Sequence, residues 1–320
     1  MRKTLREQID ANKRGSFLLV CGMVLLITLL GATIVGFWRP SYWPYGAAGA
    51  FGLALLCSAI SNLWGSKIVL GISGGREATA QEDQMLRNVV EEMAIASGLP
   101  MPKIYVIDDY APNAFATGPN PQNGIVCVTT GLLEKLNRDE LQGVMAHELS
   151  HIRNYDIKYM TTVSTMAGLI VLLADVLQSQ FRWGFFGRSR SNDNDSNNNN
   201  PLGIVFLVLG LILAFVAPML GWLLEMAVSR KREYLADASA AEMTRYPEGL
   251  ASALQKISGD TDILESANRA TQHMYIVNPL KLMEEHKDLL STHPSTEARI
   301  RALLGDAEYY AKQRKFGFKS

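Results

Sequence analysis

The sequence predicts a mainly α integral membrane protein, with four transmembrane helices and an α+β domain that carries a small β-sheet. Three observations carry this prediction. Apolar residues gather in four long blocks, with the charges lying between them. The stretch 103–129 reads as short strands broken by a Pro- and Gly-containing turn. The segments around it repeat their apolar residues at helical spacing.

A length of 320 residues accommodates one or two domains. Hydrophobic residues make up 48% and the formal net charge is zero, so nothing points to nucleic acid as a partner. The first block runs from about Phe17 to Trp38 and the second from about Tyr45 to Trp64. Neither contains a charge, and about 20 apolar residues suffice to cross a bilayer. Trp38, Tyr42, Trp43 and Tyr45 cluster between them, where an aromatic belt belongs. The third block, about Met160 to Leu177, is more polar and carries Asp175; the fourth runs from about Leu202 to Leu224. Arg2, Lys3, Arg6, Lys13 and Arg14 precede the first block, which places the N-terminus in the cytoplasm. Four spans then return residues 65–159 and everything after about 226 to that side. Arg230, Lys231 and Arg232 agree with this orientation, whereas Arg182, Arg188 and Arg190 oppose it mildly. The run 191–200 is rich in Asn and Asp and is expected to be disordered.

Residues 65–76 read as a Gly-rich connection. A helix is expected from about Glu77 to Ser97, on Met85, Val89, Val90 and Met93, stopped by Gly98 and Pro100. Strands are expected at 103–107, 113–117 and 124–129, in a small, partly exposed sheet. Asn137 and Glu140 form a capping-box start for the next helix, which is expected to run straight towards the third block. Helices are also expected on from Ser229 to about Met243, around 248–258, and from near Ser295. The three cysteines form no C-x-x-C or metal-ligand pattern.

The helix that starts at Asn137 carries His147-Glu148-Leu149-Ser150-His151, an H-E-x-x-H motif. Two histidines four apart share one helix face, so both imidazoles reach a single metal ion. Glu148 is offset by one position, within reach of a water on that metal but not a ligand. The chemistry this pattern implies is zinc-assisted hydrolysis of an amide bond. Chance alone would produce it roughly once in 250 such chains, from a motif with known false positives. Asn154 and Ile157 stand where a metzincin has Gly and His, so a third ligand has to come from elsewhere. Glu233 is the best candidate, with Asp237 four residues on along the same face. They read equally well in two ways. Either they supply one ligand and one acceptor for the free N–H of a metal-bound His, or they balance Arg230, Lys231 and Arg232 on a solvated face. His293, before Pro294, is either structural or a donor to the oxyanion formed in peptide hydrolysis.

Five stretches carry a family resemblance: P-N-A-F-A-T-G at 112–118, T-G-L-L at 130–133, H-E-L-S-H-I-R-N-Y-D at 147–156, S-R-K-R-E-Y-L-A-D at 229–237, and S-T-H-P-S at 291–295 with Arg299-Ile300. With four apolar blocks in matching order, the chain resembles the HtpX family of bacterial membrane zinc metalloproteases, gluzincins related to the eukaryotic CAAX prenyl protease. The resemblance implies a zincin-like catalytic domain that binds one zinc ion per chain through His147, His151 and Glu233, with Glu148 as general base. It implies that Asp237 partners a zinc-bound histidine. It also implies that His293 stabilises the transition state, that Arg299 organises the site, and that Asn113, Ala114, Phe115 and Ala116 form an edge strand that captures substrate. The expected organisation is a tail and transmembrane hairpin (1–64), a first catalytic part (65–159), a second hairpin (160–225) and a second catalytic part (226–320). The expected protein is an endopeptidase of the bacterial inner membrane, its active site and both termini cytoplasmic, cleaving misfolded or damaged membrane proteins. The rival readings are a site-specific processing peptidase for lipidated or membrane-anchored substrates, and a membrane chaperone or scaffold with a structural zinc.

Overall fold

The computed structural model describes residues 5–79, 84–187, 201–265, 274–277, 279 and 294–305. They divide into two compact units, one of residues 1–62 and 162–225, the other of residues 63–161 and 226–320.

The first unit is helical. It holds α1 (Leu5–Trp38), most of α2 (Trp43–Ile72), most of α6 (Asp156–Gly187) and the first part of α7 (Pro201–Thr244). Gly31 and Gly46 let α1 and α2 meet backbone to backbone. A Cβ on Gly31 would strike Ala50 and the carbonyl of Gly46, the close approach that small residues permit between helices in lipid. Gly36 gives way in the same manner to the ring of Phe206. Gln178 Nε2 donates to the carbonyl of Ala214 at 2.8 Å, tying α6 to α7. Among the described residues, three helical stretches are long and apolar enough to cross a membrane: Val20–Trp38, Pro40–Ile72 and Asp156–Gln180. Within the fourth block the described apolar stretch is shorter, Ile204–Ala217.

The second unit holds a four-stranded mixed sheet in the order β1-β2-β4-β3. Its strands are β1 (Arg76–Glu77), β2 (Lys103–Ile107), β3 (Ala114–Thr117) and β4 (Ile125–Thr129). β2 and β4 run parallel, while β1 and β3 pair antiparallel at the two edges. Alternation along the strands gives the sheet two apolar faces. Ile104, Val106, Ala114, Ala116, Val126 and Val128 face one core, with α3 (Gln84–Ser97), α5 (Arg138–Arg153) and α8 (Pro247–Gly259). Ile107, Phe115, Ile125 and Cys127 face a smaller one, with Val69, Leu70, Leu264, Met274 and Tyr275. Burying both faces makes this sheet far less exposed than its short strands suggest.

Three elements differ from the sequence expectation. The Gly-rich connection at 65–76 is helical as far as Ile72, because Val69 and Leu70 have a core to enter. Arg76 and Glu77 start a strand instead of a helix, and the helix begins at Gln84. Arg76 pairs with Asp108 at 3.0 Å and Ala78 N–H donates to Ile104, contacts between segments that local periodicity does not register. Finally, the chain does not pass straight from the H-E-x-x-H helix towards the third block. α5 ends at Arg153, and Tyr155 turns the chain in the left-handed region (φ 63°) before α6 starts at Asp156.

α5 begins as the sequence predicts. Asn137 Oδ1 accepts the Glu140 N–H at 3.0 Å, and Glu140 Oε2 accepts the Asn137 N–H at 2.9 Å. Glu140 also holds Ser252 and Lys256 of α8, at 2.7 and 2.8 Å. Burial alone would raise its carboxyl, but Lys256, Ser252 and the Asn137 N–H bring it below its ordinary value. Gly143 lets α8 press against α5, since a Cβ there would strike the backbone of Leu250. α4 (Thr130–Lys135) and α9 (Thr296–Leu304) complete the described α-helices.

Candidate metal centre

His147 and His151 stand one turn apart on α5, with their Nε2 atoms 3.2 Å from one another. Glu233 reaches them from α7, with Oε2 3.6 Å from His147 Nε2 and Oε1 3.4 Å from His151 Nε2. All three side chains are buried, which removes the solvated-face reading of Glu233. A metal held tetrahedrally at about 2.0–2.2 Å separates its ligands by about 3.3–3.6 Å. The observed separations therefore suit one cation between two imidazoles and a carboxylate, and this group is the candidate metal cluster among the described residues.

Glu148 lies beside the triad, 1% exposed. Its Oε2 is buried without a hydrogen-bond partner among the described residues, while the backbone N–H of Ala116 donates to its carboxylate. Burial pushes its pKa up to about 8, against the pull of His151 and with the push of Glu233. A buried carboxylate with an unsatisfied oxygen and a raised pKa, next to a three-donor cluster, suits a proton acceptor.

Asp237 Oδ1 lies 2.9 Å from His147 Nδ1. Arg299 of α9 grips Asp237 through Nε at 2.9 Å and a terminal nitrogen at 2.7 Å. Its other terminal nitrogen is 3.3 Å from Glu233 and donates to the Ile276 carbonyl at 2.6 Å. Burial would raise Asp237, but Arg299 and His147 hold it below the usual carboxylate range. Burial lowers His147 despite Asp237. At His151 the balance reverses: burial opposes protonation, yet Asp156 and Glu233 hold the pKa up at about 10.

Of the residues expected to capture substrate, Ala116 lies nearest the chemistry, with its N–H on Glu148. The outer edge of β3 is taken farther back by the chain itself. Ile276 N–H donates to the Ala114 carbonyl at 2.9 Å, Phe115 bridges to Tyr275, and Asn113 Nδ2 donates to the Val277 carbonyl at 2.9 Å. The rings of Phe115 and Tyr275 meet edge to face, 5.1 Å between centroids. His293 lies outside the described residues, as does the Asn-rich run 191–200.

Sequence reasoning overlooked two residues. Asp156 Oδ2 is 3.2 Å from His151 Nδ1, and Arg232 is 3.2 Å from Asp156 Oδ1. The available signal was an acid five residues beyond the second histidine, which lies on no shared helix face until the chain turns at Tyr155.

The sequence pattern of peptidase family M48 matches residues 80–307. A relative described as "Protease HtpX homolog", from Dictyoglomus thermophilum, is 46% identical over 300 residues, covering 94% of each chain. One of the same description from Caldanaerobacter subterraneus subsp. tengcongensis is 44% identical over 305 residues, covering 94% of this chain and 98% of its own. One from Listeria monocytogenes is 41% identical over 303 residues, covering 93% and 99%. The crystal structure of S. mikatae Ste24p superposes over 92% of this chain and 66% of its own, with 21% identity and a TM-score of 0.48.

Proposed function

The chain belongs to peptidase family M48 and is a membrane metalloprotease, and from that premise we propose that it is a zinc endopeptidase whose ion is held by His147, His151 and Glu233. The observation that carries the assignment is the buried oxygen of Glu148, without a partner among the described residues, beside a cluster of three donors among them. A structural zinc is usually enclosed by four protein ligands, whereas a catalytic one keeps a position open. Three donors with a carboxylate alongside favour catalysis over a scaffold role.

A bound zinc ion polarises the scissile carbonyl and acidifies water. The protein's own groups do the rest. Glu148 takes the proton of the attacking water and returns it to the leaving amine. Asp237 accepts a hydrogen bond from the Nδ1–H of His147 and so directs Nε2 to the metal. Arg299 keeps Asp237 ionised in a buried place. An extended substrate pairs with β3 at Ala116, next to Glu148, because the strand behind it is occupied by Ile276 and Tyr275.

The substrates we propose are misfolded or damaged proteins of a bacterial inner membrane. The chain would cross that membrane four times, with residues 1–64 and 160–225 as anchoring hairpins and residues 65–159 and 226–320 as a cytoplasmic catalytic domain. The basic N-terminal segment and Arg230, Lys231 and Arg232 support this orientation. The test is cleavage of an unfolded membrane protein by the full chain in proteoliposomes. Cleavage at several sites, stopped by a chelator and restored by zinc, is expected. Chelator-insensitive cleavage would overturn the mechanism, and one fixed site near a lipidated cysteine would replace the substrate assignment with a processing role.

A further inference from the structure

His147 and His151 are held in parallel ways, and only the first of these arrangements is foreshadowed by the motifs. Each histidine turns Nε2 towards the shared cluster and Nδ1 away from it. Each Nδ1 faces an aspartate, Asp237 for His147 and Asp156 for His151. Each aspartate faces a buried arginine, Arg299 or Arg232. We infer that Asp156 and Arg232 are positioning residues that set the tautomer and orientation of His151 and fix its distance to Glu233, an inference that rests on the zinc-protease reading of the site.

A neutral imidazole ligates through Nε2 only when its proton sits on Nδ1. Asp156 Oδ2 stands 3.2 Å from that Nδ1, and its carboxylate is 1% exposed. Burying a carboxylate away from water is costly unless an opposite charge faces it. Arg232 provides one from 3.2 Å, itself 4% exposed. Its guanidinium lies over the ring of Tyr159, 3.8 Å from the centroid, so it is held in a cation–π contact as well as an ion pair.

The chain positions give the pair a second consequence. Arg232 immediately precedes Glu233, while Asp156 follows the turn that ends α5. The Arg232–Asp156 contact therefore ties the backbone beside the third ligand to the end of the helix carrying the other two. The left-handed Tyr155 is what brings Asp156 back under His151, since a continuous helix would place residue 156 on a different face. A non-glycine residue held in that region is a strained conformation that surrounding contacts must maintain. The competing explanation is structural: an acid in the first turn of α6 favours that helix whatever His151 does.

Zinc affinity separates these roles, because a helix-terminal acid has no reason to change it. The measurement is competition against a chromogenic chelator, on the full chain in detergent and in a Glu148→Gln background that prevents self-cleavage. Asp156→Asn is expected to weaken zinc binding about 10- to 100-fold. Arg232→Met is expected to weaken it less. The double variant should bind no more weakly than Asp156→Asn alone, because both act through the same Nδ1 contact. Zinc affinity of Asp156→Asn within about twofold of its parent would overturn the inference, as would losses that multiply in the double variant. Should Asp156→Asn fail to fold, Arg232→Lys keeps the charge and gives up the planar stack on Tyr159. A drop of at least about threefold is then expected, and unchanged affinity overturns the inference. A parent protein that binds no zinc would overturn the zinc-protease reading itself, an outcome distinct from a parent and an Asp156→Asn variant that bind it equally well.

Discussion

Glu148→Gln is expected to lower peptide hydrolysis about 10²- to 10⁴-fold while the protein keeps its fold and its metal. The substitution preserves the shape of the side chain and retains an oxygen for the Ala116 N–H. It removes the one property the mechanism uses, the capacity to take a proton from water and hand it on. Glu148 supplies no donor to the His147, His151 and Glu233 cluster, so metal content is not expected to fall. The measurement is the cleavage rate of a peptide or unfolded membrane protein, with metal content determined on the same preparation. Full cleavage by the metal-loaded variant would remove Glu148 from the reaction.

Arg299→Met should produce the largest loss of stability. The guanidinium is 1% exposed and has three kinds of partner: Asp237, Glu233 and the Ile276 carbonyl. Methionine occupies comparable space but offers none of the three a donor, leaving Asp237 with His147 alone among the contacts described and the Ile276 carbonyl without the guanidinium. Breaking a buried ion pair from one side typically costs about 3–5 kcal/mol, because the remaining charge stays buried and uncompensated. The expected result is a downward shift of that order in the unfolding transition of the full chain in detergent, with the segment at 274–277 released from β3. Asp237→Asn combined with Arg299→Met should lose less than the sum of the two, since the pair acts as a unit. A shift under about 1 kcal/mol for Arg299→Met would show that Asp237 and Glu233 find other compensation.

Local patterns in the sequence carry much of this structure. The i, i+4 spacing of His147 and His151 places both on one face of α5, and Asn137 with Glu140 marks where that helix starts. Ser295 likewise stands at the start of α9. The remainder depends on contacts between distant segments. Arg232 looks like one of three surface cations beside Glu233 until the fold buries it against Asp156 and Tyr159, 76 and 73 positions earlier. The turn before Asp156 is hard to read because the residue that reverses the chain is Tyr155 and not a glycine. The pairing of Ile276 with Ala114 joins segments 162 residues apart and has no local signature. Glu233 and Asp237 show the same limit from the other side: their spacing alone fits a solvated face and a ligand pair equally well, and their burial removes the first of these readings.

The most direct test is the metal content of the purified full chain, measured by elemental analysis in wild type, Glu148→Gln and Glu233→Ala. With two histidines and one glutamate as the ligands, wild type and Glu148→Gln should each carry about one zinc ion per chain. Glu233→Ala, reduced to two protein ligands, should carry less than about a tenth of that. A Glu233→Ala protein that retains its full equivalent of zinc would contradict the account.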